Sequence, residues 1–261
     1  MSDSQNFKRK ILPIKTIKQL AESYLLAEVI VEIRKEIEID TEKKAIDSIP
    51  KIEVSIPNEL EELYIEACKI AKFKPILIYI MKYSIEDMVR YNFSEDPSVV
   101  VAASNDTSHL QQEFGQSFSN LARINLFDHT LNVFKEAVNL SKTKGRATGV
   151  VIPMIASLLH DFGKSQGIRN EILGEAGSRG YKAHSEVSAS YVRELISLKL
   201  YNKFNEIPTD TIDLLADIVK NHHPSNQKAK NNSNIALVIE ADHKARKKEY
   251  KELLKNRASN K

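Results

Sequence analysis

The chain has 261 residues, of which 42% are hydrophobic and 28% charged, with 38 basic side chains against 35 acidic ones. That balance excludes wholesale disorder, and a net charge of +3 spread thinly along the chain does not by itself argue for a nucleic-acid partner. Cys68 is the single cysteine, which excludes an intrachain disulfide and points to a reducing compartment.

In chain order, Met1 to Lys10 is polar and no cleavable apolar core follows, so no signal peptide is expected. Thr16 to Ile39 sets Ile17, Leu20, Tyr24, Leu25, Val29, Ile30, Ile33 and Ile37 mainly at three- and four-residue steps, which predicts a helix. Ile49 to Pro57 is a break bracketed by prolines and reads as a linker or one edge strand. Glu59 to Lys72 and Lys74 to Tyr91 are predicted helices, the second starting near Pro75, and the neighbours Tyr64, Ile65 and Ala71 make Cys68 a buried thiol. Ile76 to Met81 is far shorter than the roughly 20 apolar residues of a membrane span, so we expect a soluble, cytoplasmic protein with no membrane partner. A loop is expected over Asn92 to Thr107, with Val99 to Ala103 as a short buried element.

Five helices are predicted after that: Leu121 to Leu140, Pro153 to Phe162, His184 to Leu200, Thr209 to His222 and Asn234 to Leu254. Gly163 ends the second where a positive φ is favoured, and Thr209 and Asp210 suit a helix start. Gly167 to Tyr181, with Gly174, Gly177 and Gly180, is expected to be a flexible loop. The C-terminal stretch from Lys244 to Lys261 is basic, broken only by Glu249 and Glu252, and reads as a solvated helix end or a phosphate-binding arm. The fold class is therefore mainly α: a helical N-terminal region over residues 1–119, a helical domain over 120–250 and a basic tail over 251–261.

Five of the seven histidines form an ordered series with two aspartates: His129, His160-Asp161, His184, His222-His223, Asp242. Each member lies on one of the five predicted helices or at its end, as a bundle needs in order to point ligands inward at one buried site. Imidazole plus carboxylate suits iron, manganese, zinc or cobalt rather than calcium. Several imidazoles and two carboxylates can hold two cations, with Asp161 as the natural bridge because His160 fixes it beside the first ion. Two metals roughly 3.5–4 Å apart generate hydroxide at neutral pH and neutralise a phosphoryl group. His109 and His243 read as ordinary core or surface residues. Gly163-Lys164-Ser165 is not a nucleotide phosphate loop: the required earlier glycine is Leu158, and the segment ends a helix rather than opening one.

Leu158-Leu159-His160-Asp161-Phe162-Gly163-Lys164 resembles the signature of the HD phosphohydrolase superfamily. Asp128 to Val133 resembles that family's first-histidine helix, Lys182 to Glu186 its third histidine, Ile218 to His223 its paired histidines, and Ile239 to Asp242 its closing aspartate helix. The order is similar to the two-metal branch, which includes cyclic-dinucleotide phosphodiesterases and RNA-cleaving domains. The resemblance implies an HD-type helical bundle in which His129, His160, Asp161 and Asp242 hold one ion and Asp161, His184 and His222 the other. His223 would ligate, sit behind the ligands or touch substrate, and Lys164 would lie near the scissile phosphate. Iron or manganese is expected first, with zinc, cobalt, nickel or magnesium as alternatives.

Two departures narrow this expectation. Pro224-Ser225-Asn226 follows the histidine pair in place of Gly-Tyr-Pro, which argues against a cyclic-di-GMP assignment, and Asn125 stands where three-metal members carry glutamate. The expected function is a phosphohydrolase or phosphodiesterase that uses a dimetal-activated hydroxide on a nucleotide or single-stranded nucleic acid; similar domains occur in conjugative relaxases. The alternatives are a di-iron oxygenase resembling the inositol-oxygenase branch and a non-catalytic nucleotide sensor. The first 119 residues carry no chemical motif and suit homodimerisation, covering of the site or ligand sensing.

Overall fold

The computed structural model describes residues 24–25, 28–32, 35, 41–99, 121, 123–143, 149–178, 182–223 and 231–259. The chain divides into two compact units, Met1–Ser48 and Ile49–Lys261. In the first, the described residues between 24 and 35 are helical, as the apolar spacing predicts, and residues 41–47 form a further helix. The rest of the Thr16 to Ile39 prediction lies outside the described residues.

The second unit is built from helices, with no strand among the described residues. Helix α1 (Asn58–Ile70) buries Leu60, Tyr64, Ala67 and Cys68 along one face. Helix α2 (Pro75–Arg90) opens with proline at its first turn, where the missing N–H costs nothing. Before α1, residues 49–57 form a linker whose Ile52 and Ile56 pack on the core. After α2, residues 91–99 make a strap whose end anneals beside residues 124–126: Ser98 N–H donates to the Ile124 carbonyl at 3.0 Å and Leu126 N–H to the Asp96 carbonyl at 2.8 Å. Val99 is buried, while positions 100–107 fall outside the described residues.

Helix α3 spans Leu126–Thr143, starting five residues later than the apolar period suggests. Asn125 sets the start. Its side-chain oxygen accepts from Asp128 N–H at 2.7 Å, and its amide donates back to the Asp128 carboxylate at 3.0 Å, a reciprocal cap. Helix α4 (Val151–Leu159) is buried along nearly its whole length and passes through His160 and Asp161 into a single 3-10 turn, Phe162–Lys164.

The glycine-rich stretch corrects the sequence expectation. As far as Ser178 it is helix α5 (Gln166–Ser178) rather than a loop, with one kink at Gly174, whose φ of 70° and ψ of 164° only glycine adopts cheaply; the rest of the expected loop, residues 179–181, lies outside the described residues. Asp96 steadies the start of α5 by accepting from Gln166 N–H at 3.2 Å.

Helix α6 (His184–Tyr191) continues through a π-helical turn, Val192–Ile196, into helix α7 (Ser197–Phe204). Helix α8 (Thr209–Lys220) starts at the Thr-Asp pair. The last helix, α9, runs from Ser233 to Ser259. Helices α3, α8 and α9 pack around α4, α6 packs on α8 and on the 3-10 turn, and α1 and α2 cover α3 and α4. One continuous apolar cluster therefore reaches from Leu60 to Ala245. None of the described helices is long and apolar enough to cross a membrane.

Candidate metal centre

Asp161 sits at the junction of α4 and the 3-10 turn, and its carboxylate divides the site into two halves. Its Oδ2 lies 3.4 Å from His129 Nε2 and 3.3 Å from His160 Nε2. Its Oδ1 lies 3.3 Å from His184 Nε2 and 3.9 Å from His222 Nε2. Asp242 closes the first half, with Oδ1 3.3 Å from His129 Nε2. The nitrogens of His184, His222 and His223 gather within 4.8 Å on the other side, as do the ligand atoms of His129, His160 and Asp161 on theirs. The His223 ring centroid is 4.8 Å from that of His184 and 4.2 Å from that of His222. All seven residues of the ordered series thus meet in one pocket, contributed by α3, α4, α6, the end of α8 and α9.

The pocket is deep. His129 and His160 are fully buried, and His184, His222 and Asp161 nearly so. Asp242 keeps 35% of its side chain exposed, so its outer edge marks the mouth. His129 Nε2, His160 Nε2, Asp161 Oδ1 and Asp242 Oδ1 are buried without a hydrogen-bond partner among the described residues. Orphaned buried polar atoms of this kind cost about 1–3 kcal/mol each unless something binds them, and nitrogen and oxygen lone pairs converging on a common point are what a borderline transition-metal cation completes. The donor set fits metal ions.

Three of the imidazoles are oriented from behind. His160 Nδ1 lies 2.8 Å from the Ser157 carbonyl and His222 Nδ1 2.6 Å from the Val219 carbonyl, each three residues back on its own helix. A carbonyl only accepts, so Nδ1 carries the hydrogen and Nε2 presents its lone pair inward. His129 Nδ1 instead meets a carboxylate, Glu249 Oε1, at 3.0 Å.

The electrostatics are lopsided. Burial works against the charge on Asp161, but the His160 ring and the Lys164 ammonium outweigh it and hold the carboxyl well below its ordinary range. Asp242 is likewise lowered, with contacts to His129 overcoming burial. Burial and Arg246 oppose a charge on His129, yet Glu249, Asp161 and Asp242 together push its imidazole up to about 10. On the other half, burial and the neighbouring His223 and His160 rings depress His222 well below its usual value. Without a cation, the carboxylate-rich half favours a charged His129, whereas burial and the neighbouring rings on the other half disfavour charge on His222.

Gly163 departs from the expectation of positive φ, since Gly174 is the glycine that has it among the described residues. Gly163 is required for space. A Cβ there would stand 2.1 Å from the His184 carbonyl oxygen and 2.8 Å from Ser188 N. The 3-10 turn thereby lies directly on α6, with Gly163 N–H donating to Ser188 Oγ at 2.7 Å. Lys164 is not solvated past a helix end. Its side chain is 6% exposed and donates to Asp161 Oδ2 at 2.8 Å and to the Ser98 carbonyl at 3.1 Å. His243 is half-buried on α9, and His109 lies outside the described residues.

Compared with known families, residues 126–256, half of the chain, match the family model for the HD domain. The chain belongs to the HD domain family. No curated protein and no solved structure matched it. Membership in the HD family associates this pocket with metal binding and, in general, with metal-dependent phosphohydrolysis. The HD match begins at Leu126, so the strap carrying Ser98 lies ahead of the matched segment. Sequence reasoning missed that contribution, and it placed Arg246 and Glu249 in a basic stretch read as a solvated helix end or a phosphate-binding arm. Both are buried, at 2% and 3% exposure. The signal was present in their spacing: Asp242, Arg246 and Glu249 fall at four- and three-residue steps, on one face of a helix. Nothing local in the sequence marks Ser98.

Proposed function

We propose that this protein is a metal-dependent phosphohydrolase that cleaves a phosphoester or phosphoanhydride bond of a nucleotide or nucleic acid, using a pair of ions on either side of Asp161. The observation that carries this reading is the division of the Asp161 carboxylate, with one oxygen facing His129 and His160 and the other His184 and His222. His129, His160, Asp161 and Asp242 would hold one ion; Asp161, His184, His222 and His223 would hold the other. A bound pair of this kind acidifies water and neutralises charge on a phosphoryl group.

The chain's own residues do the rest. Asp161 is held in place by Lys164 and by the turn that Gly163 seats on α6. The Lys164 ammonium stands beside Asp161, preorganised to stabilise charge that develops on a phosphoryl oxygen. The buried imidazoles keep Nε2 aimed inward, and the open edge of Asp242 gives substrate its approach.

The test is metal analysis of freshly purified protein, followed by a cleavage screen on nucleotides and single-stranded oligonucleotides across a salt series. The expected result is cleavage that requires manganese or iron and disappears in Asp161→Ala. Fully loaded protein that cleaves nothing in the screen would overturn the proposal, and oxygen consumption by the iron-loaded form would identify an oxygenase instead.

A further inference from the structure

The Glu249 carboxylate is buried 3.0 Å behind His129, on a turn of α9 that faces the bundle. Its neighbours Asn132 and Arg246 both approach as donors. Asn132 Nδ2 donates to Oε1 at 3.0 Å, and Arg246 Nη1 donates to Oε2 at 3.1 Å. A carboxylate surrounded in this way is an acceptor, so the His129 Nδ1 hydrogen points at it, and with a cation bound it would be the Nε2 lone pair that faces Asp161 and Asp242. Arg246, itself buried, reaches past Glu249 to the strap, donating from Nη1 to Ser98 Oγ and from Nη2 to the Ser98 carbonyl, both at 2.9 Å. That same carbonyl also accepts from Lys164 Nζ. Ser98 therefore ties together a brace on one half of the pocket and the ammonium at its centre.

We propose that Glu249 is a positioning residue of the metal centre: clamped by Arg246 to the Ser98 strap, it fixes the tautomer and aim of His129, and so makes residues ahead of the family-matched segment part of the site. The inference rests on the metal reading above and deepens it. His129 differs from His160 and His222, whose braces are main-chain carbonyls that no substitution removes. Its brace is a side chain more than a hundred residues away, so its contribution can be isolated. A carboxylate behind a ligating imidazole raises the ring's basicity as well as fixing its orientation, and losing such a partner typically costs 10- to 100-fold in metal affinity.

The experiment is a Co(II) titration of the metal-free full-length chain, followed by the visible absorption of the bound ion, on wild type, Glu249→Ala, Glu249→Gln and Leu60→Ala. Leu60 lies in the core of α1 and serves as a destabilised control. Glu249→Ala should weaken one Co(II) equivalent about 10- to 100-fold and leave the other within about threefold. Glu249→Gln keeps an oxygen that accepts from Nδ1 and should recover most of that loss, while Leu60→Ala should bind as wild type does. Unchanged affinity in Glu249→Ala, or an equal loss in Leu60→Ala, would overturn the positioning role while leaving the metal reading intact. A wild type that takes up no Co(II) would overturn both.

Discussion

Replacing Gly163 with alanine adds one methyl group at the point where the 3-10 turn touches α6. The added carbon would meet the His184 carbonyl oxygen at 2.1 Å, Ser188 N at 2.8 Å and Val187 Cβ at 2.8 Å. Two of these are main-chain atoms, which cannot rotate aside as a flexible side chain could. Restoring ordinary contact at 3.4 Å to the carbonyl alone requires the turn and the helix to part by about 1.3 Å. Overpacking of this kind costs about 1–3 kcal/mol, and stretching the Gly163–Ser188 hydrogen bond adds about 1 kcal/mol. For a unit of this size a loss of about 2–4 kcal/mol lowers the melting temperature by about 5–15 °C. The separation also carries His184 away from Asp161, so the variant should retain less bound metal on that half. Circular dichroism melts with metal analysis on the same samples check both effects. Gly174→Ala is the contrast: strained backbone with open space around it should cost about 1–3 kcal/mol and leave metal content alone. A Gly163→Ala protein that melts within about 2 °C of wild type with full metal content would refute the argument from space.

Three further outcomes are expected. Asp161→Ala removes the carboxylate shared by both halves, and metal analysis should find both ions lost and cleavage abolished; prolonged chelation of wild type should reproduce the loss, and adding manganese or iron should reverse it. Lys164→Met keeps an unbranched buried stem but deletes the ammonium, so steady-state kinetics should show kcat falling about 100- to 1,000-fold, with a smaller change in KM. Burial pushes the Cys68 thiol up to about 12, against a smaller opposing hydrogen bond from Tyr64. The reactive thiolate is therefore scarce at pH 8, and a chromogenic disulfide reagent should label native protein slowly and urea-unfolded protein fast; rapid native labelling would contradict the burial of α1.

The helical class was legible because apolar side chains recur at helical steps in nearly every segment, and the family because its ligand pairs sit on or beside helix ends with few intervening choices. Pro75 illustrates local chemistry that was legible, since it opens α2 as expected, whereas the reciprocal cap at Asn125 starts α3 five residues after the apolar spacing suggested. Where local rules failed, a distant contact had won. Gly163 looked like a helix stop and is instead a spacer for the approach of α6, and Gly174 bends a helix rather than dissolving it. Arg246 and Glu249 have the composition of a solvated end, yet the tertiary structure buries them because His129 and Ser98, each more than a hundred residues away in the chain, supply the partners that make burying charge tolerable. Periodicity and residue type are properties of neighbours in sequence, so they name elements and donors. Which donors share a pocket, and what braces them from behind, depends on pairings between distant segments that exist only once the helices have packed.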